Sequence, residues 1–208
     1  MALRRLSTSS IQTNGKSSKL WDQTTFQSGM FALATVSLTS TQSTVSFTGI
    51  PSTYTHLQIR CLTQTTRATY GHDQFQAIFN GEATDTTNYT LHNFYGGGDG
   101  ALASEAAFNT FRIGIGNTTT GNAPGGKTFG ASVIDILDYA STSKYKTLKA
   151  LTGGDLNGTV AGYPGFLGFH SGLWKNSSTA VNAVTFYVGS GASFATGTQF
   201  ALYGIKTV

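Results

Sequence analysis

Gly121-Asn122-Ala123-Pro124-Gly125-Gly126-Lys127-Thr128 satisfies, residue for residue, the phosphate-loop pattern G-x-x-x-x-G-K-[ST]. Taken at face value it demands an α/β fold, because such a loop works only between a buried strand and a helix whose free N–H groups and dipole hold the phosphates. Its neighbours do not provide one. Asn117-Thr118-Thr119-Thr120, before it, is polar and turn-like where an apolar strand should enter the loop. After it, Phe129-Gly130-Ala131-Ser132-Val133-Ile134-Asp135-Ile136-Leu137-Asp138-Tyr139 is partly β-branched and strand-like. Without a helix there is no anion site, and the βαβ alternation of a nucleotide fold is missing elsewhere. With 26 glycines in 208 residues, the match is read as a hairpin loop, and no cofactor is expected.

The rest of the chain has period two. Val45 and Phe47 alternate with Ser46 and Thr48, and Leu57, Ile59 and Cys61 with Gln58 and Arg60. Phe75, Ala77 and Phe79 continue the pattern, as do Phe111, Ile113 and Ile115, then Val184, Phe186 and Val188, and the ending Phe200-Ala201-Leu202-Tyr203-Gly204-Ile205. Turn clusters separate these runs at Gly96-Gly97-Gly98-Asp99-Gly100, Gly153-Gly154-Asp155 and Gly189-Ser190-Gly191. Only Ala101 to Phe108 is expected to form a turn or two of helix. The expected fold is all-β, an antiparallel β-sandwich or jelly roll of about ten strands over residues 29–208. Residues 1–28 are expected to be an extended N-terminal arm, since Ser7 to Ser18 carries little to bury.

Charged residues make up only 11% of the chain, against 39% hydrophobic, which favours an assembled state, because charge is what usually keeps subunits apart. A formal charge of +4, from 13 Lys and Arg against 9 acids spread along the chain, is no nucleic-acid stripe. No run of apolar residues is long enough for a membrane span. The start Met1-Ala2-Leu3-Arg4-Arg5-Leu6 lacks the apolar core of a secretory signal, so the four N-x-[ST] strings are read as composition. The single Cys61 is read as core, and no metal site is expected.

Reactive constellations are equally sparse. His56, His72, His92 and His170 are scattered, without a second ligand at metal spacing. His72-Asp73 is the best base-and-orienter pair, yet no nucleophile motif accompanies it. Asp135 and Asp138 have odd spacing and project to opposite faces of a strand, which does not make a carboxylate pair. Asp155-Leu156-Asn157-Gly158 is read as a turn, lacking the closing acid of a calcium loop. No catalytic residues are therefore assigned. Aromatic residues in glycine-rich loops, Tyr89, His92, Phe94 and Tyr95 together with Tyr163, Phe166, Phe169 and Trp174, are candidates for a glycan platform or a subunit contact.

Three stretches carry a family resemblance: Phe47-Thr48-Gly49-Ile50-Pro51-Ser52-Thr53-Tyr54-Thr55-His56-Leu57-Gln58-Ile59, then Ile136-Leu137-Asp138-Tyr139-Ala140 with Lys144-Tyr145-Lys146-Thr147, and Phe200 to Ile205. From about Met30 to Lys206 the chain resembles the β-sandwich virion proteins of tailed bacteriophages, particularly those of marine cyanophages. The resemblance implies a strand, an Ile-Pro turn, a strand, a Phe79-Asn80-Gly81 hairpin, a glycine-rich insert and three closing strands. It also implies a non-enzymatic subunit on the virion surface, made in the host cytoplasm: a capsid decoration or cement protein, or a tail fibre or adaptor. The implied partners are further copies of the chain, a trimer by analogy with phage decoration proteins, and the major capsid protein or tail proteins. Arg4, Arg5, Lys16, Lys19, Leu20, Trp21 and Phe26 of the arm are the expected docking residues. The competing expectation is a receptor-binding module that recognises host surface glycan through the aromatic loops.

Overall fold

The computed structural model describes residues 29–82, 87–98, 100, 102–110, 112–122, 127–156 and 165–206. The expected arm, 1–28, with its docking residues, lies outside them, as do Tyr163 and the middle of GNAPGGKT, residues 123–126. Twelve strands and no helix form the described fold: β1 (Met30–Ser37), β2 (Thr44–Phe47), β3 (His56–Thr65), β4 (His72–Phe79), β5 (Tyr89–Gly97), β6 (Leu102–Thr110), β7 (Ile113–Thr120), β8 (Gly130–Leu137), β9 (Lys146–Asp155), β10 (Gly165–Trp174), β11 (Val184–Val188) and β12 (Gln199–Ile205).

Two layers follow from the pairing. The larger runs β1-β12-β3-β8-β9-β10-β5-β6, the smaller β2-β11-β4-β7. They join where the end of β3 lies parallel to β7, Gln64 beside Thr119 and Thr65 beside Thr120; the other strand pairs described are antiparallel. β1 to β4 alternate between the larger and the smaller layer, β7 stays beside β4 in the smaller one, and β8, β11 and β12 resume the alternation. The remaining four strands are two hairpins, β5–β6 inserted between β4 and β7, and β9–β10 inserted between β8 and β11. They meet through the β10–β5 pair, which extends the larger layer from four strands to eight.

The period-two residues fill the space between the layers. Leu57, Ile59, Phe75, Phe79, Ile134, Ile136 and Phe186 are fully buried, each such side chain contributing about 1.5–3 kcal/mol. Phe186 of β11 stacks on Phe200 of β12 with centroids 4.8 Å apart, and Phe79 meets Trp174 edge-on at 5.5 Å. The three stretches that carry the family resemblance pack on one another. The Tyr139 hydroxyl donates to the Pro51 carbonyl, and the Tyr54 ring covers Gly204 so closely that a Cβ there would overlap it.

Several expectations need correction. Within the expected helix Ala101 to Phe108, the described residues from Leu102 on are not helical: Leu102–Thr110 is β6, whose pairing with β5 overrides the helix preference of alanine. Gly153, Gly154 and Asp155 close strand β9 instead of forming a turn, and Gly154 lacks a side chain because a Cβ would lie 2.7 Å from the Phe166 ring. Asn80 and Gly81 do turn, with φ of 51° and 75°. They do not make a hairpin of β4 with the next strand, however, because β4 pairs with β11 and β7. Asn80 instead clamps the approach to β11, its Oδ1 accepting from the Asn182 and Ala183 amides at 2.9 and 3.1 Å.

The layers approach each other closely at Gly172 of β10, where a Cβ would overlap Ile113 of β7. Gly172→Ala is expected to destabilise the domain by about 1–3 kcal/mol through overpacking. Gly153→Ala, with Leu167 Cδ1 at 3.6 Å as nearest neighbour, is expected to leave the melting temperature nearly unchanged. Equal melting of the two variants would contradict this packing.

Candidate functional site

β7 runs to Thr120 and β8 starts at Gly130, so GNAPGGKT links two strands, and a strand follows Lys127-Thr128 where a phosphate loop needs a helix. The residues before it are corrected from turn to strand: Thr118, Thr119 and Thr120 belong to β7 and are fully buried. Their hydroxyls explain the burial. Thr118 Oγ1 donates to the Thr63 carbonyl at 2.7 Å, Thr119 Oγ1 to the Thr128 carbonyl at 2.6 Å, and Thr120 Oγ1 to the Tyr70 carbonyl.

Apart from Tyr163, outside the described residues, the aromatic residues expected in loops lie on the paired strands β5 and β10, and alternation separates them. Tyr89 and Trp174 pair with each other and are wholly buried, so neither reaches a ligand or a subunit. Trp174 Nε1 donates to Glu82 Oε2 at 2.8 Å, with the Lys146 ammonium 5.1 Å from its ring. Phe94 and Phe169 pair with each other and point outward, 52% and 56% exposed, and His92 is exposed on the same face. Tyr95 points the other way, and Phe166 lies on its side of the layer with its ring 6.4 Å from that of His72.

On that inner face a polar row crosses β10, β5 and β6 through His170, Asn93 and Glu105, each the cross-strand partner of the next. His170 Nδ1–H donates to Asn93 Oδ1 at 2.9 Å, and Asn93 Nδ2 donates to Glu105 Oε2 at 3.4 Å. The other imidazole nitrogen, Nε2, lies 3.3 Å from Thr152 Oγ1 and accepts from it when the ring is neutral. Burial favours the neutral ring, pushing the His170 pKa from 6.5 to about 4. Two glycines make room for the ring: a Cβ on Gly116 would lie 2.6 Å from Nε2, and one on Gly168 closer still.

The row forms one wall of a cleft of about 250 Å³ between the β5–β6 hairpin and the β4–β7 pair. Gln74, Gln76 and Asn117 face Asn93, Tyr95 and Glu105 across it, with His72 at one side. Amides, a phenol and a carboxylate around a space of that size suit a small, neutral, hydroxyl-rich ligand.

The remaining reactive groups are tied into the fold. Asp73, buried, accepts from Thr65 Oγ1 at 3.1 Å, Ser190 Oγ at 2.6 Å and the Gln74 amide at 2.9 Å, and pairs with Arg67. Burial lowers the pKa of the adjacent His72, and the Arg67 charge lowers it further against the pull of Asp73. Asp135 lies on β8 and pairs with Lys149; Asp138 lies beyond the strand at φ 51° and pairs with Lys144. Burial pushes the Cys61 thiol up to about 12, which leaves it unreactive.

A second surface escaped the reading of the residues. Val133 of β8, Leu151 of β9, Phe169 of β10 and Phe94 of β5 form an unbroken apolar row on the outer face of the larger layer. Its signal in the sequence is the adjacency of apolar residues in Val133-Ile134 and again in Ile136-Leu137, which marks a strand apolar on both faces. Compared with models of protein families, with curated proteins and with solved structures, the chain matches none.

Because the folded pKa of His170 is depressed below 6.5, its contribution to stability is complete above pH 6.5 and is lost as pH falls towards 4. The loss should reach on the order of 3 kcal/mol, and His72 acts in the same direction. Denaturant titrations at stepped pH are expected to show a steeper loss of stability over this window for the wild type than for His170→Gln. Parallel curves would contradict a neutral, buried imidazole.

Proposed function

We propose that this chain is a non-enzymatic structural subunit of a tailed-bacteriophage particle, a capsid decoration or cement protein held by its N-terminal arm. The observation that carries the reading is strand order. We read β1-β12-β3-β8 against β2-β11-β4-β7 as a jelly roll, an architecture shared by viral capsid proteins and lectins. The inference from architecture to role is one of analogy, and the resemblance of the three mutually packed stretches to phage virion proteins points the same way. The low charge and the apolar outer row suit a subunit that works covered by neighbours.

Antibody to the purified chain is expected to decorate purified particles of the encoding phage at regular positions in electron micrographs. Its absence from particles, with the chain abundant in infected lysate, would overturn the proposal. Deletion of residues 2–22 is expected to leave the melting temperature unchanged while abolishing incorporation into particles; full occupancy by the truncated chain would remove the arm from the account.

A second reading, recognition of host surface glycan, is favoured by the amide-lined cleft beside Tyr95. On a glycan array, this reading expects binding by the wild type that Tyr95→Ala abolishes without unfolding the domain. Trp174→Ala serves as the contrast, because removal of a fully buried indole costs about 3–5 kcal/mol of stability.

A further inference from the structure

We propose that a second copy of this chain covers the outer face of β8, β9, β10 and β5, the two copies packing sheet on sheet about a two-fold axis. Val133, Leu151, Phe169 and Phe94 stand in a single cross-strand row there. The inner faces of β8 and β9 are already filled by Ile134, Ile136, Leu148 and Ala150, so the outer row is surplus to the core. Strands apolar on both faces are ordinarily covered on both.

Two residues further along the same strands, the next row reads Ala131, Gly153, Leu167 and Gly96, with Leu62 before it and Leu102 beyond. Ala131 and Gly153 floor an open groove of about 750 Å³ between Leu62, Leu151 and Leu167. One face therefore carries a ridge and, about 7 Å away along the strands, a groove. A two-fold axis places the ridge of each copy in the groove of the other, the reciprocal contact that an isologous interface requires. Stacked sheets separate by about 10 Å, a distance that the leucine and phenylalanine side chains of the two copies span together.

The area is sufficient. Leu102 is 73% exposed, Leu167 and Phe169 56%, Phe94 52% and Leu62 48%. With Val133 and Leu151, these side chains leave on the order of 700 Å² of apolar surface in water, above the largest patch of a typical monomer and close to the ~800 Å² per partner of a stable complex.

Charge also selects a copy of the same chain over a charged partner. The polar row bordering the ridge, Gln58-Asp135-Lys149-Ser171-His92, settles its own charges: Asp135 accepts from Gln58 Nε2 at 2.8 Å and pairs with Lys149 at 3.3 Å. Arg60 donates to Gln58 Oε1 at 2.9 Å and lies 5.7 Å from the Tyr203 ring. Asp155, which lines the groove, is a second acid, so two acids stand against the two cations Lys149 and Arg60 and the face has no net charge of one sign to repel its own copy.

The full chain at tens of micromolar is expected to sediment as a dimer. Phe169→Thr combined with Leu151→Thr, which places β-branched residues on both strands, is expected to weaken the dimer at least a hundredfold while the domain still melts cooperatively. Ser46→Lys, on the β2 edge of the smaller layer, is expected to leave the dimer intact and serves as the control. A monomeric or trimeric wild type, or a dimer indifferent to the double substitution, overturns the proposal. So does a full chain that is monomeric while a chain lacking residues 1–28 dimerises, since the groove then belongs to the chain's own N-terminal segment. The measurement uses isolated protein, so its failure leaves the particle reading standing.

Discussion

A backbone that crosses between two layers inside a protein must find partners for peptide groups that neither sheet satisfies. In this chain threonine meets the constraint. Thr63, Thr65, Thr118, Thr119, Thr120 and Thr198 are buried together where β3 and β7 join the layers. Their hydroxyls bond carbonyls of Thr63, Gln64, Tyr70 and Thr128, and the Thr119 hydroxyl also accepts from the Gly130 amide at 3.1 Å as β8 begins. Asp73 closes the same end through Thr65 and Ser190. Because the junction is closed by side chains, β7 can leave one layer and β8 enter the other, and the phosphate-loop string falls in the connection between them.

That junction marks the limit of what the residues alone disclose. Strands with one apolar face were legible at Val45-Phe47, Leu57-Ile59-Cys61, Phe75-Phe79 and Val184-Val188, because period-two alternation reports burial directly. Thr118 to Thr120 were not, since a polar residue is buried only when a distant carbonyl is waiting for it, and chain separation hides the carbonyl. The helix preference of the alanines around Glu105 misled at β6 for a related reason: the partner that makes Leu102–Thr110 a strand is β5, and pairing outweighs intrinsic propensity. The aromatic residues were found, but not their sides. Tyr89, Phe94 and Tyr95 occupy one strand and face the core, the outside and the cleft in turn.

The hairpin extension changes what the larger layer presents. Four strands, β1, β12, β3 and β8, would match the four of the facing layer. The inserted β9–β10 and β5–β6 carry the sheet past that match, so part of its inner face meets β7 and part frames the amide-lined cleft. Its outer face acquires the apolar rows. Two insertions from different connections thus create both candidate surfaces, and they do so on opposite sides of the same strands.

On those strands the usual sorting is inverted: Phe94 and Phe169 lie outside, while Asn93 and His170 lie within. A slip of one residue would exchange the two sets, but it would bury the phenylalanines only by exposing Tyr89, Leu91 and Trp174 of the same strands. Shape opposes it too. The notch under β10 fits an imidazole because Gly116 and Gly168 carry no Cβ, and the bonds from His170 to Asn93 and Thr152 are made only in this register. What remains is the cost of the apolar row in water, a cost that vanishes when the outer face is covered. Register and assembly are therefore one problem for this domain: the polar row holds the strands in a pairing whose exposed side favours association.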